Sequence, residues 1–412
     1  MMKKVAIISV GVALPGEKGY THTEYLARFL SQAGIDVTLI VPEFQHWEKK
    51  FRSQSIVEKL TLPYHFEQIK TIGYKKNLDL KRMLSYVQLG KKVVKYLKTH
   101  EKFDLLYVAI PSNYLGAQVV KYANKNNVPV IVNTGDLWPE AMKMVLHIPV
   151  ITDVLYAPIA HYAKVAYKGA DGFIGTSDEY RDQCLKYGAD ENKQRKTVYV
   201  GSELDIFYDG IDEFSDSVHK GSGEFWVTYA GNLGASYDIS TLIETARKIS
   251  KDGYKNIKVK ILGGGPDEDR LKERAKDLGD VVSFEGYQPY KRMAAYLSKS
   301  DLTINSFVKD APQSIVTKVG DYLAAGKPMI NTLTSPEFRK KVVDDNFGIN
   351  VEAENVDELY NAIIYLYNNA DIRNVMSENA VKTAKTQFDR KESYKTILCM
   401  MNNLMEKWEQ FK

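Results

Sequence analysis

Cysteine is almost missing from this chain: 412 residues contain two, Cys184 and Cys399, 215 positions apart in segments with helical periodicity. That argues against a disulfide framework and a cysteine metal site, and it fits a reducing cytoplasm. No run of 18 apolar residues occurs, so no membrane-spanning helix is expected. Low-complexity segments and repeats of 20–50 residues are absent too. The seven histidines are scattered without ligand spacing. No Gly-x-Gly-x-x-Gly is followed by an acid about 20 positions on, which speaks against a nicotinamide dehydrogenase. Lys3 and Lys4 before the run Val5–Ile8 loosely imitate a signal peptide. No small-x-small cleavage site follows, and the run passes into Gly16, Gly19 and an amphipathic pattern, so it reads as a buried first strand.

What is present is the composition of a soluble globular protein, 44% hydrophobic and 26% charged, long enough for two or three domains. The net charge of +4 is uneven. Residues 1–205 hold 28 basic and 21 acidic side chains, while residues 206–412 hold 28 and 31. Ten basic residues fall in Lys70–Lys102 against Asp79 and Glu101, which suggests an anionic surface as a partner of the first half. Lys81, Arg82, Lys91, Lys92, Lys95 and Lys98 lie on a predicted helix with Leu80, Met83, Leu84, Val87, Val94 and Leu97 on the other face. The pattern is either an ordinary solvated face or a dock for anionic lipid. Nucleic acid is disfavoured because aromatic interleaving is missing.

Short β-rich runs alternate with helical periodicity throughout, the pattern of α/β domains with parallel sheets. Val5–Val10, Val37–Val41, Leu105–Ile110, Val128–Val132 and Gly172–Gly175 read as strands of a first sheet. Tyr25, Leu26, Phe29, Leu30 and Ala33 form one helical face that Gly34 ends. The same grammar restarts at Phe225–Ala230, with Val259–Leu262, Val281–Phe284, Leu302–Asn305 and Met329–Thr332 following. Two restarts imply two doubly wound, Rossmann-like domains. The predicted division is 1–205 and 206–388, within a stretch rich in Gly, Ser and Asp, and residues 389–412 are expected to form a helix that packs back on the first domain.

Four motifs carry chemistry. Gly231-Asn232-Leu233-Gly234 joins a strand to a helix, and Gly263-Gly264-Gly265-Pro266 repeats this one unit later. Glycines there let backbone amides and a helix N-terminus approach a phosphate, although either loop could be a tight turn needed for packing. Asp267-Glu268-Asp269 resembles an Asp-x-Asp metal motif but opens a helix, where acids complement the dipole, and no metal site is expected. Lys318 and Asp321 share a helix face ahead of Gly326-Lys327-Pro328. A cation could meet a diphosphate there while the carboxylate accepts ribose hydroxyls, or the two could be a plain surface ion pair. Asp136-Leu137-Trp138-Pro139-Glu140 follows the strand Val128–Val132, where open α/β sheets bind ligands. Trp138 and the two acids could hold a sugar, and Asp136 could equally cap a helix begun by Pro139.

Taken in order, these blocks resemble the retaining GT-B glycosyltransferases of family 4, especially the fucosaminyltransferase-like branch that makes bacterial surface polysaccharides. The resemblance covers nearly the whole chain. It rests on Pro15-Gly16 to Gly19, Asp136–Glu140, Tyr229–Gly234, Leu262–Pro266, Phe284-Glu285-Gly286-Tyr287 and, most specifically, Tyr322-Leu323-Ala324-Ala325-Gly326-Lys327-Pro328. It implies the GT-B architecture, two Rossmann-like domains facing across a cleft. It also implies a nucleotide-sugar donor, a UDP-sugar above all, held by the second domain without metal or cofactor, and a saccharide or lipid-linked saccharide acceptor on the first. On the resemblance, Gly16, Gly19, Gly231, Asn232, Gly263, Gly264, Gly265, Gly286, Tyr287, Gln313, Ser314, Lys318 and Asp321 serve the donor. His22, Trp138 and Glu140 serve the acceptor, and Asp136 and Lys318 the catalysis.

The chain departs from the family pattern at three places. The Glu-x7-Glu pair of many relatives reads Gln313 and Asp321 here. Asp is one methylene shorter than Glu, and Gln313 supplies no charge. The Arg and Lys that often follow the first glycine loop are replaced by Ala235, Ser236 and Tyr237, which throws phosphate charge onto Lys318, helped by Lys309. Two other readings stay open: a non-catalytic partner that kept the fold, and a nucleotide-sugar epimerase of the same architecture. The expected setting is capsule or exopolysaccharide synthesis in the cytoplasm, peripheral to the inner face of the plasma membrane.

Overall fold

The computed structural model describes residues 2–77, 79–100, 102–140, 149–311 and 313–410. The chain divides into two units. Unit 1 runs to Val198 and resumes at Tyr394, and unit 2 is Tyr199–Ser393. Each is α/β with a parallel main sheet, the fold class that the alternating runs imply.

In unit 1 the chain order is β1 (Lys4–Ile8), α1 (His22–Gln32), β2 (Asp36–Pro42), a small antiparallel pair β3 (Phe44–Gln45) and β4 (Lys50–Phe51), α2 (Gln54–Val57) and β5 (His65–Ile69). Then come α3 (Leu80–Thr99), β6 (Leu105–Ile110), α4 (Asn113–Lys125), β7 (Val130–Thr134), α5 (Pro149–Gly169), β8 (Gly172–Gly175), α6 (Asp178–Lys186) and β9 (Gln194–Thr197). The sheet order is β5-β2-β1-β6-β7-β8-β9. Its direction of winding reverses between β1 and β6, and open α/β sheets bind ligands beyond the carboxyl ends of the strands at such a point. Strands such as Leu105–Ile110 are apolar on both sides because both sheet faces are covered. One face carries Leu89, Val93, Leu115, Val119, Ala166 and Tyr167 of α3, α4 and α5. The other carries Tyr25, Leu26 and Leu30 of α1 together with Ile397, Met400, Met401 and Leu404 of the C-terminal helix Lys395–Glu409.

Unit 2 contains α7 (Leu204–Phe214), β10 (Phe225–Ala230), α8 (Ile239–Lys251), β11 (Ile257–Leu262), α9 (Glu268–Arg274), β12 (Val282–Gly286) and α10 (Tyr290–Lys299). It continues through β13 (Leu302–Asn305), α11 (Lys318–Ala324), β14 (Met329–Asn331), α12 (Pro336–Asp344), β15 (Gly348–Asn350), α13 (Val356–Asn368) and α14 (Ala370–Thr383). The order β12-β11-β10-β13-β14-β15 puts the reversal between β10 and β13. Asp238 starts α8 by accepting the Thr241 amide at 3.0 Å, as an N-cap should.

Two boundaries differ from the sequence reading. The units part after Val198, not after Asp205, because Ser202 and Arg390 stitch residues 200–203 to the end of unit 2. The Ser202 amide donates to Phe388 O at 2.8 Å, and the Arg390 guanidinium reaches Val200 O, Gly201 O and Glu203 at 3.0 Å each. The tail is a short turn, Arg390–Ser393, and then the helix Lys395–Glu409, so the division falls at Tyr394 and not at residue 389. Most of the helix expected from Pro139 lies outside the described residues.

Candidate donor and acceptor sites

Beyond the carboxyl end of β10, the two glycine loops of unit 2 pack backbone on backbone. The Gly231 amide donates to Leu262 O at 2.9 Å, and the Leu233 amide to Gly264 O at 3.0 Å. A Cβ on Gly263 would stand 1.8 Å from Gly231 O, and one on Gly265 would stand 2.4 Å from Leu233 O. Gly263 also has φ +126°, so no other residue fits there. Asn232 and Gly264 lie in the same pair of loops, and the Gly263 amide donates to Gly286 O at 2.8 Å. Gly286 has φ +66°, and Tyr287 after it is 79% exposed.

Lys318, at the start of α11, sends its ammonium towards the first loop: Nζ would lie 3.5 Å from a Cβ on Gly231. Nζ is buried and has no hydrogen-bond partner among the described residues. Aromatic faces surround it, with ring centroids at 4.3 Å (Tyr229), 4.8 Å (Tyr237), 5.0 Å (Phe307) and 5.9 Å (Tyr322). Ring faces attract a cation but supply no lone pair, so burial pulls the ammonium down to about 7. The Gln313 Oε1 is a buried acceptor without a partner among the described residues, and Ser314 is buried with its hydroxyl 3.5 Å from that of Ser335.

Lys318 and Asp321 do not form the surface ion pair that their spacing allows. Asp321 Oδ1 accepts from Ser202 Oγ at 2.6 Å and from Tyr290 Oη at 2.7 Å, and burial raises its pKa. Asp321 therefore also ties α11 to α10 and to the segment before α7. Of the acids that open α9, Asp267 pairs with Arg270 and Glu268 with Lys272. No three His, Cys, Asp or Glu side chains among the described residues are grouped to hold a metal ion.

In unit 1 the loop after β1 is held by Arg52, which is 6% exposed. Its Nε donates to Glu17 Oε1 at 3.0 Å, its Nη1 to Pro42 O at 2.9 Å, and its Nη2 to Val12 O. Glu17 Oε2 in turn accepts the Leu14 amide at 2.9 Å. Gly16 (φ +85°) and Gly19 (φ +132°) make the turns, and Gly19 lies flat against the Trp47 ring. Asp136 follows β7. Its Oδ1 accepts the Leu137 amide at 2.9 Å and its Oδ2 the Trp138 indole at 3.1 Å, while burial raises its pKa. Trp138 is buried. Tyr20 and Tyr180 feel the Asp136 charge, and Tyr20 meets Trp47 edge-on at 5.3 Å. His22 begins α1, and its carbonyl accepts Tyr394 Oη at 3.4 Å. Glu140 points elsewhere: it accepts Gln183 Nε2 at 2.6 Å and Tyr187 Oη at 2.7 Å, a contact that holds α6.

Residues 20–198 match the Glycosyltransferase Family 4 domain model, and residues 210–383 match that of Glycosyl transferases group 1. The chain is a member of the GT-B glycosyltransferases. An uncharacterized glycosyltransferase of Methanocaldococcus jannaschii is 26% identical over 235 residues, which is 56% of this chain and 58% of the relative, little more than half its length. HepE of Anabaena, solved with UDP, superposes with a TM-score of 0.71 at 14% identity over 97% of this chain and 100% of its own. Sucrose-phosphate synthase of Thermosynechococcus elongatus gives 0.71 at 16% identity over the whole of both chains. WaaG, a glycosyltransferase involved in lipopolysaccharide biosynthesis, gives 0.67 at 14% identity over 95% and 98%. At these identities the structures speak for the fold alone.

The structure corrects one face of the sequence reading. On α3 the core side is Ser85, Tyr86, Leu89, Gly90, Val93 and Leu97, whereas Leu80 is 83% and Leu84 55% exposed. Arg82 leaves the basic stripe and folds inward, its guanidinium 5.0 Å from the Trp138 ring centre. The Lys92 ammonium is spent on Lys70 O at 2.6 Å. Lys81, Lys91, Lys95 and Lys98 stay exposed. The sequence reading missed Arg52, the Trp47 wall and the aromatic ring set around Lys318, all of which arise from tertiary contacts.

Proposed function

We propose that the protein transfers a sugar, with retention of configuration and without a metal ion, from a UDP-sugar to a saccharide or lipid-linked saccharide in bacterial surface-glycan synthesis. The buried, unpartnered Lys318 ammonium beside the Gly231 loop is the observation that carries this reading. A cation desolvated without an anion is costly, and a bound diphosphate supplies the missing partner. UDP in HepE, a protein of the same fold, supports the choice of donor.

In this reading charge builds on the departing diphosphate. Lys318 and the amides of Gly231–Gly234 and Gly263–Gly265 stabilise it from fixed positions. The acceptor hydroxyl attacks the anomeric carbon on the face that the diphosphate leaves, and the leaving phosphate oxygen takes its proton. Asp136 orients the acceptor, Trp138 and His22 flank it, and Asp321 uses what remains of its carboxylate on the ribose. Glu140, engaged with Gln183 and Tyr187, supports the acceptor side by holding α6. Cytoplasmic placement at the membrane's inner face rests on the exposed Leu80 and Leu84 beside Lys81, Lys91, Lys95 and Lys98.

The test is calorimetric titration with UDP, followed by transfer assays with a panel of nucleotide sugars and membrane extract. UDP binding that survives chelation, with Asp136→Asn cutting turnover about a hundredfold at unchanged UDP affinity, is expected. Failure to bind any nucleoside diphosphate, or loss of activity with chelator, overturns the reading. Binding without turnover on any acceptor would mark a non-catalytic partner, and an isomerised sugar nucleotide formed without acceptor would mark an epimerase.

A further inference from the structure

Three cationic or potentially cationic side chains of unit 1 converge beside Asp136, whose carboxylate feels the charge of Arg82 without forming an ion pair with it among the described residues. Lys49 Nζ donates to Asn77 Oδ1 at 2.8 Å, and Arg82 Nη1 donates to Asn77 O at 2.8 Å, so one residue brackets both cations. Arg82 Nε is spent on Tyr86 Oη at 2.9 Å. His46 joins them through Tyr74, with Nδ1 and Oη 2.6 Å apart. The charges press on one another: burial, then Arg82 and Lys49, pull His46 down to about 4, while burial and Arg82 lower Lys49. Asp79, the acid nearest Arg82 in sequence, is occupied by the amides of Lys75 and Lys81, and Glu48, next to Lys49, pairs with Lys50 at 3.0 Å. No carboxylate pairs with Lys49 or Arg82 among the described residues. The Arg82 guanidinium lies over the Trp138 ring, whose indole donates to Asp136. Tyr74 and Tyr86 wall the other side, with ring centres 6.5 Å apart.

Like charges desolvated together and left unpaired are unfavourable unless an anion joins them. A planar guanidinium beside a flexible ammonium is suited to the oxygens of a phosphate or carboxylate. We propose that Lys49, Arg82 and His46 form an oxyanion subsite that takes a negatively charged substituent of the acceptor, a phosphate ester or a sugar carboxylate, next to Asp136. The word acceptor rests on the glycosyl-transfer reading above; the anion site itself does not.

The test uses full-length Lys318→Met protein, in which the donor side has lost its phosphate-binding cation. Methyl phosphate and glucuronate are titrated separately, and the His46 ring resonances, identified by their loss in His46→Gln, are followed by NMR. Saturable movement of these signals with at least one anion is expected, with the His46 midpoint rising by at least about one pH unit. Lys49→Gln should weaken binding about tenfold. Lys49→Asn should do the same, and it suits the backbone there, where φ is +53°. Response to methyl phosphate alone identifies a phosphate ester, response to glucuronate alone a carboxylate, and response to both the shared oxyanion. No His46 response to either anion, or undiminished affinity in both Lys49 variants, overturns the inference. Since Lys318→Met is the background, a failure of the donor reading leaves this readout intact.

Discussion

Replacing Lys318 by Met should make the protein more stable and less useful. The lysine's folded-state pKa is lowered from 10.5 to about 7 by burial. A lowered lysine pKa means that the folded state disfavours the charged form. The penalty is fully present below about pH 7, shrinks as pH rises from there, and is gone above the unfolded value of 10.5. At roughly 1.4 kcal/mol per pH unit, discounted for relaxation of the aromatic pocket, the cost at pH 6 is roughly 3 kcal/mol. Methionine fills similar volume among the rings of Tyr229, Tyr237, Phe307 and Tyr322 without a charge. Urea unfolding at pH 6 and pH 9.5 is the assay. The variant should gain roughly 3 kcal/mol at the lower pH and far less at the higher one. UDP affinity and turnover should fall by about two to three orders of magnitude. In the unaltered protein at pH 8, UDP binding should draw in close to one proton, measured by calorimetry in buffers of different ionisation heat. A variant less stable at pH 6, or a gain that does not shrink with pH, would refute the argument.

Three further outcomes follow from the geometry. Gly263→Ala should destabilise by about 3 kcal/mol or more in thermal or urea unfolding, since its Cβ collides with Gly231 O at 1.8 Å, whereas Gly16→Ala, with open space around it, should cost only about 1 kcal/mol. Arg52→Met should cost about 3 kcal/mol by stranding Glu17, and the double variant with Glu17→Gln should recover part of that, read from a double-mutant cycle. Changing Lys81, Lys91, Lys95 and Lys98 together to Gln should weaken sedimentation with anionic vesicles more than a hundredfold, at about 1 kcal/mol per charge, with neutral vesicles unaffected by the change.

The central strands were legible because their apolar runs have no other reading: Leu105–Ile110 and Phe225–Ala230 appear with the predicted bounds. The edge strands were not. His65–Ile69 and Gln194–Thr197 are polar, half-solvated segments whose strand character comes from pairing with β2 and β8. On α3, Leu80 and Leu84 fit an apolar stripe in sequence, yet the sheet took the face carrying Tyr86 and Val93. The glycine loops and Lys318 were visible as motifs. What makes Lys318 unusual was hidden, because its rings come from β10, the loop before α8, the turn after β13 and α11, up to 93 positions apart in the chain. Asp321 shows the same limit, since its partners Ser202 and Tyr290 lie 119 and 31 residues away.

The helix Lys395–Glu409 closes one face of a sheet whose strands all lie before residue 198. During synthesis, that layer of unit 1 waits until all of unit 2 has been made. At elongation rates of about 5–20 residues per second this delay is on the order of ten to forty seconds. Meanwhile Ile7, Leu105, Tyr107 and Ile131 lack their cover of Ile397, Met400, Met401 and Leu404. The nascent first unit should thus keep an apolar face uncovered for as long as its sibling takes to emerge, and a premature stop near residue 390 should yield insoluble protein even though every strand of both sheets has been translated.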